Sequence, residues 1–279
     1  MGRWSTLRLI RALDPETDFW RIYRLHAQQE FPWDVTRALE LALYRTYAVP
    51  SIGGLLDRTG EFRRRAQKRY DDTALLLGEA LENGLDSERG RRALRLINRA
   101  HARYPIDPDD SRYVLATLLV VPARWLDRYG WRRVTEHERR AAYLYYRELG
   151  RRMGVKEWPA SFEEVCVFLD EYEARHFAYS QGGARTATAT RELFVSWFPQ
   201  ALAPMTRAGV VALLDPPLLH AFGYAPAPAW LRAAADGALR ARARGVRFLP
   251  PRRRPVRVRD AWTVRSYPSG YSIEQLGPG

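Results

Sequence analysis

Apolar residues recur every three or four positions along most of the chain, the spacing that lines one face of an α-helix. In residues 34–47, DVTRALELALYRTY, they interleave with charge in that rhythm, and Asp34 stands where a helix cap belongs. VPSIGGLLDRTG, with Pro50, Gly53 and Gly54, predicts a break. Long helices are expected over 60–84 and over 87–104, the second closed by Pro105. IDPDDSRY then places acids at the start of a helix running to about Tyr129. Thr135 and Ser161 open helices over 134–154 and 161–177, the latter with an acid pair in its first turn. Further helices are predicted at about 188–199, 205–214 and 228–244. Strand-like alternation occurs only in RPVRVRDAWTVRSY, directly after the helix-resistant PPRRRP. The pattern predicts one all-α, multi-helix domain over 1–249 and an extended tail over 250–279, either wrapped on the body or disordered.

Composition sets the bounds of function. At 279 residues and 46% hydrophobic, the chain has enough apolar material for a sizeable core. The single cysteine, Cys166, rules out an internal disulfide framework and suits a reducing, cytoplasmic setting, with Cys166 itself a small core residue. No stretch nears the ~20 consecutive apolar residues of a membrane-spanning helix, while peripheral contact with a membrane stays open. The most apolar run, YVLATLLVVPARWL, reads as a buried core helix, and the N-terminus has too little apolar core for a signal peptide. The net charge of +13 comes mainly from scattered arginine. Such an excess fits nucleic acid, an anionic membrane surface or an anionic cofactor, and equally a compositional bias. No nucleic-acid recognition motif accompanies it, so a nucleic-acid partner is not expected.

Of the five histidines, His137 lies in the charged TEHERR, and His26 and His220 have no supporting neighbours in sequence. Glu173 and His176 have the Glu-x-x-His spacing of di-iron bundles, which need it twice, and no second copy exists. Zinc spacings, the Gly-x-Ser-x-Gly elbow, the P-loop and Gly-x-Gly-x-x-Gly are all missing. His101 differs from the others. Leu94, Ile97 and His101 share one helix face, which puts the imidazole on an apolar stripe. A hydrogen-bonded core histidine satisfies that placement, and so does the proximal ligand of a haem iron. Arg69 and Thr73, in KRYDDT, lie one turn apart on one face. Spacing alone does not separate this pair from a solvated surface.

Several segments together carry more information. RTYAVPSIGGLL, KRYDDTALLLGE, the long block INRAHARYPIDPDDSRYVLATLLVVPARWLDRYGWRRVTEHE, YYRELGRRMGV and PPRRRP, in order over about 40–255, resemble the MpaB oxygenase family, related to the bacterial latex-clearing proteins. The resemblance implies an all-helical fold carrying haem b, in a soluble bacterial oxidoreductase that uses dioxygen on a hydrophobic, isoprenoid-like alkene. It makes His101 the iron ligand and places Arg69 and Thr73 on the distal side. Arg95, Arg99 and Arg124 are the candidate partners of the haem propionates, and Leu75, Leu118 and Leu119 either line an apolar pocket for the chain or belong to the ordinary core. Three positions depart from the latex-clearing pattern: Asp72 replaces a lysine, and Asn98 and Pro105 replace arginines that flank the histidine. A protein of the same fold that binds haem or a hydrophobic ligand without turnover is the alternative.

Overall fold

The computed structural model describes residues 2–277, and among them fourteen α-helices and no strand. Two short helices, α1 (Ser5–Arg11) and α2 (Phe19–Leu25), lead through a π-helical turn at His26–Glu30 into α3 (Pro32–Thr46). Pro32 opens α3 where no amide hydrogen is needed. α4 (Pro50–Thr59) and the single turn α5 (Glu61–Arg64) precede α6 (Ala66–Asn83) and α7 (Glu88–His101). α8 (Pro108–Tyr129), α9 (Glu136–Arg152), α10 (Phe162–His176) and α11 (Gln181–Ser196) follow. α12 (Ala203–Ala212), α13 (Pro216–Phe222) and α14 (Ala229–Arg247) complete the set. Asp34, expected to cap α3, instead lies inside its first turn and bonds to Trp125 and Arg242, while Phe31 precedes the helix without a side-chain cap. Ser87, Asp107 and Ser161 each accept an amide hydrogen bond from the first turn they precede, and Thr135 with Glu138 forms a complete capping box.

α8 is the centre of the body. It is apolar almost all round, and α3, α9, α10 and α14 pack against it. Leu75, Leu118 and Leu119 belong to the same core, at 1%, 5% and 2% exposure. Of the two readings, core packing describes them, and Leu119 also borders a small cavity beside Tyr23, His26 and Tyr146.

The predicted break at 50–59 is in fact helical. Gly53 and Gly54 serve helix packing: a Cβ on Gly53 would lie 2.5 Å from the Tyr47 carbonyl oxygen and 2.7 Å from the Cα of Gly183. The QGG at the start of α11 answers this pair, so α4 and α11 meet backbone to backbone. The predicted helix over 60–84 divides at Arg65, whose backbone leaves the helical region. α11 begins seven residues before its predicted start at 188, and α1, α2 and α13 were not foreseen.

Residues 250–277 wrap on the body. Two single turns of 3₁₀-helix, Val258–Asp260 and Ile273–Gln275, interrupt an extended path. Thr263, Ile273 and Leu276 are buried. Asp71 accepts hydrogen bonds from the amides of Arg265 and Ser266, at 3.1 and 2.7 Å. Tyr267 donates to Asp72 and Tyr271 to Glu79, at 2.5 and 2.7 Å. The tail is thus a strap along α6.

Candidate functional site

α6 carries two sets of side chains on different faces. Asp71, Asp72 and Glu79 hold the strap. Arg69 and Thr73 point elsewhere and are locked together: Arg69 donates to the Thr73 hydroxyl, which donates in turn to the Arg69 carbonyl at 2.9 Å. The Arg69 guanidinium lies 5.8 Å from the centre of the Phe62 ring, which meets Tyr47 edge-on at 5.4 Å. Burial pushes the Tyr47 phenol up to about 12, although the charge of Arg69 works against that rise. The arm formed by Arg69 and Thr73 therefore has one aromatic, apolar side.

His101 is the last residue of α7, the helix packed against α6. Leu94 and Ile97 are buried in the core as the stripe requires, but the stripe runs out at its end and His101 is exposed. Crowding pushes its pKa below the ordinary histidine value, and the charge of Arg69 pushes the same way. Arg69 and His101, on different helices, are thus brought to one region. Among the described residues the His101 ring makes no hydrogen bond, whereas those of His26 and His137 do. The expectation of a hydrogen-bonded core histidine is corrected. Among the described residues His101 thus presents an imidazole that no other side chain or backbone group engages.

The three candidate arginines are placed differently. Arg95 and Arg99 are exposed on α7 and make no ion pair among the described residues. By helical geometry they lie about 120° and about 160° round the helix from His101. Arg124, on α8, grips Asp170 with two hydrogen bonds of 2.7 Å each, so a propionate there would have to displace that carboxylate. Asp72, in place of the lysine, is 4% exposed and held by Lys68 and Tyr267. Asn98 donates to the Arg152 carbonyl at 2.9 Å and ties α7 to the end of α9. An open groove of about 460 Å³ between α5 and α11, lined by Arg63, Tyr179 and Arg185 among others, contains none of Arg69, Thr73 and His101.

Glu173 is bound by Arg45 and by Tyr113, and His176 stacks on Tyr172 with ring centres 4.2 Å apart, which accounts for the Glu-x-x-His spacing. Among the described residues no cluster of three or more His, Cys, Asp or Glu side chains is placed to hold a metal ion by itself. His26 does have supporting neighbours, all from distant sequence. Its Nδ1 lies 3.0 Å from Glu138, and Arg132 joins Glu138 to Glu30 with bonds of 2.7–2.8 Å. His137 bonds to the Leu13 carbonyl. Sequence reasoning missed Tyr47 and Phe62, because nothing local marks an aromatic that will lie under an arginine from another helix. It also missed Glu40, whose carboxyl burial raises to about 7 and which accepts from Tyr70 at 2.6 Å.

Residues 23–248 match the family model described as "ER-bound oxygenase mpaB/B'/Rubber oxygenase, catalytic domain". The ER-bound oxygenase mpaB' of Penicillium brevicompactum is 30% identical over 246 residues, covering 81% of this chain and 58% of that protein. The ER-bound oxygenase mpaB of the same species is 30% identical over 188 residues, 61% of this chain and 48% of that one. Its namesake in Penicillium roqueforti (strain FM164) is 28% identical over 227 residues, 75% and 76% of the two chains. The chain thus spans about half the length of the two Penicillium brevicompactum relatives. Among the described residues no helix is long and apolar enough to cross a membrane.

Proposed function

From a chain that belongs to the ER-bound oxygenase mpaB/rubber oxygenase catalytic-domain family, we infer a haem-b-dependent oxygenase that uses dioxygen on a hydrophobic, isoprenoid-like alkene. The observation that carries the reading is the state of His101. It is an exposed imidazole with no hydrogen-bond partner among the described residues, within range of the charge of an arginine that is itself held in place by a threonine. That donor set fits a haem with one protein ligand. His101 would hold the iron, while Arg95 and Arg99, turned about 120° and about 160° round α7 from it, face away from a group held there, so the propionates would draw on other donors. When bound, haem supplies an iron centre that activates dioxygen for cleavage or oxygenation of a carbon–carbon double bond.

The residues of the chain do the rest. Thr73 fixes the Arg69 side chain by accepting its hydrogen bond, so the guanidinium is organised before any ligand arrives. Arg69 then offers its remaining donors to negative charge that develops on oxygen. Phe62 and Tyr47 keep one flank of that arm apolar, which limits water and suits an alkene. Asp72 bears on the alternative of binding without turnover. Its carboxylate is engaged by Lys68 and Tyr267, so the loss of the lysine leaves no stray charge beside Arg69.

The test is the absorption spectrum of the haem-supplemented protein beside His101→Ala. The expected result is an intense Soret band that the substitution abolishes or shifts strongly. A wild-type protein without a Soret band would remove the haem mechanism, and a His101→Ala protein with an unchanged band would remove the ligand.

A further inference from the structure

α14 is attached to the body by one face and leaves the other bare. Leu239 and Val246 pack against the core and Ala243 is buried. Arg242 reaches Asp34 at 2.9 Å and lies 3.7 Å from the centre of the Trp33 ring. Asp236 turns the same way and is bonded to Arg128 and Tyr129. On the opposite face Trp230, Ala234, Gly237, Ala241 and Phe248 are all exposed. They fall within an arc of about 60°. Trp230 is 71% exposed, Phe248 86% and its neighbour Leu249 54%. The two rings stand at opposite ends of the helix, about 27 Å apart along its axis. Small residues between them leave a smooth apolar strip with an aromatic at each end.

The charges beside the strip select its occupant. Residues 229–254 contain eight arginines and one acid, the inward-turned Asp236. Arg244 flanks the strip and Arg247, Arg253 and Arg254 lie at its C-terminal end; all four are exposed and, among the described residues, make no ion pair. A second copy packed face to face would set these arginines against their own counterparts with no acid between them. A nucleic acid would match the charge and leave both rings and Leu249 in water. An anionic bilayer meets both demands. Its head groups pair with the guanidinium groups, and its interfacial zone takes up the aromatic rings.

We propose that the outer face of α14, with Phe248 and Leu249 at its end, docks in the interface of an anionic lipid bilayer. His101 takes no part in this surface, so the haem reading and the docking surface can fail separately.

The experiment is flotation of the full-length protein with vesicles of phosphatidylcholine alone and with vesicles that also contain phosphatidylglycerol. Wild type is expected to float with the anionic vesicles only, and less as salt rises. The double variant Trp230→Ser, Phe248→Ser should bind at least about tenfold more weakly with its helix content unchanged, because both side chains are exposed. Arg244→Glu, Arg247→Glu should weaken binding and flatten its salt dependence. Three results would overturn the proposal. One is a wild type that does not float. Another is a double serine variant that floats as well as wild type. The third is a wild type that prefers duplex DNA, or dimerises through this face, without affinity for the anionic vesicles.

Discussion

His26 and His101 each stand at a helix end, His26 capping α2 and His101 closing α7. His26 is 5% exposed and satisfied by Glu138, with Arg132 and Glu30 completing a buried ionic network. His101 is exposed, has no hydrogen bond among the described residues, and shares its region with Arg69. The first arrangement holds three segments of the chain together. The second leaves a Lewis base on offer. A histidine's role here follows from which distant side chains the fold delivers to it.

The largest expected effect comes from His101→Ala. It should abolish haem binding, seen as loss of the Soret band, while urea denaturation of the haem-free protein shifts by less than about 0.5 kcal/mol. Next comes Arg132→Ala, which leaves Glu30 an unpaired buried charge and Glu138 with only His26 and its Thr135 cap as partners. It should cost about 3–5 kcal/mol in denaturation experiments and leave the spectrum of the folded protein unchanged. If Arg132→Ala instead removed the Soret band and His101→Ala removed the stability, the roles assigned to the two sites would be reversed. Arg69→Ala should keep the haem and lower turnover about 100-fold, measured by oxygen uptake with an isoprenoid alkene. Unchanged turnover would detach Arg69 from the chemistry.

Glu138 gives the comparison a pH axis. Hydrogen bonds from Arg132 and His26 hold its carboxyl well below the ordinary value, against the opposing effect of burial. A depressed folded-state pKa means that the unfolded chain binds more protons, so stability rises with pH. The contribution is complete above the unfolded value of about 4.3 and is lost as pH falls below it. Glu138→Gln should therefore show a shallower loss of stability between about pH 5 and pH 2 than wild type. Equal slopes would mean that Glu138 is not the group that titrates.

Much of this was legible from the chain. Thr135 and Ser161 mark helix starts because a cap is a local device, complete within four residues, whereas Asp34 looks like a cap and is drawn into the helix by Trp125 and Arg242 from distant sequence. Packing between distant segments was not legible. Gly53 and Gly54 look like breakers until Gly182 and Gly183 are brought against them. His26 looks isolated until Arg132 and Glu138 arrive. For His101 the periodicity correctly predicted buried Leu94 and Ile97, but it could not tell that the stripe ends in the open. The family resemblance singled out Arg69, Thr73 and His101, and the fold brings Arg69 and His101 to one region. Of the arginine candidates, Arg124 was the least predictable, since its partner Asp170 lies on another helix.

The smallest effect tests α6 itself. Asp72 resembles Glu138 in being a buried, compensated carboxylate, its partners being Lys68 at 2.7 Å and Tyr267 at 2.5 Å. It differs in that one partner comes from the strap and the other from the same helix. Tyr267→Phe removes one hydrogen bond and leaves the Lys68 ion pair, so the carboxylate stays compensated. The expected cost is about 1 kcal/mol in urea denaturation, with the Soret band and turnover unchanged. Arg69 and Thr73 lock to one another, not to the strap, which is why the site should not register the loss. A drop in turnover at unchanged haem content would show that the strap sets the position of Arg69. The two faces of α6 would then be one mechanical unit.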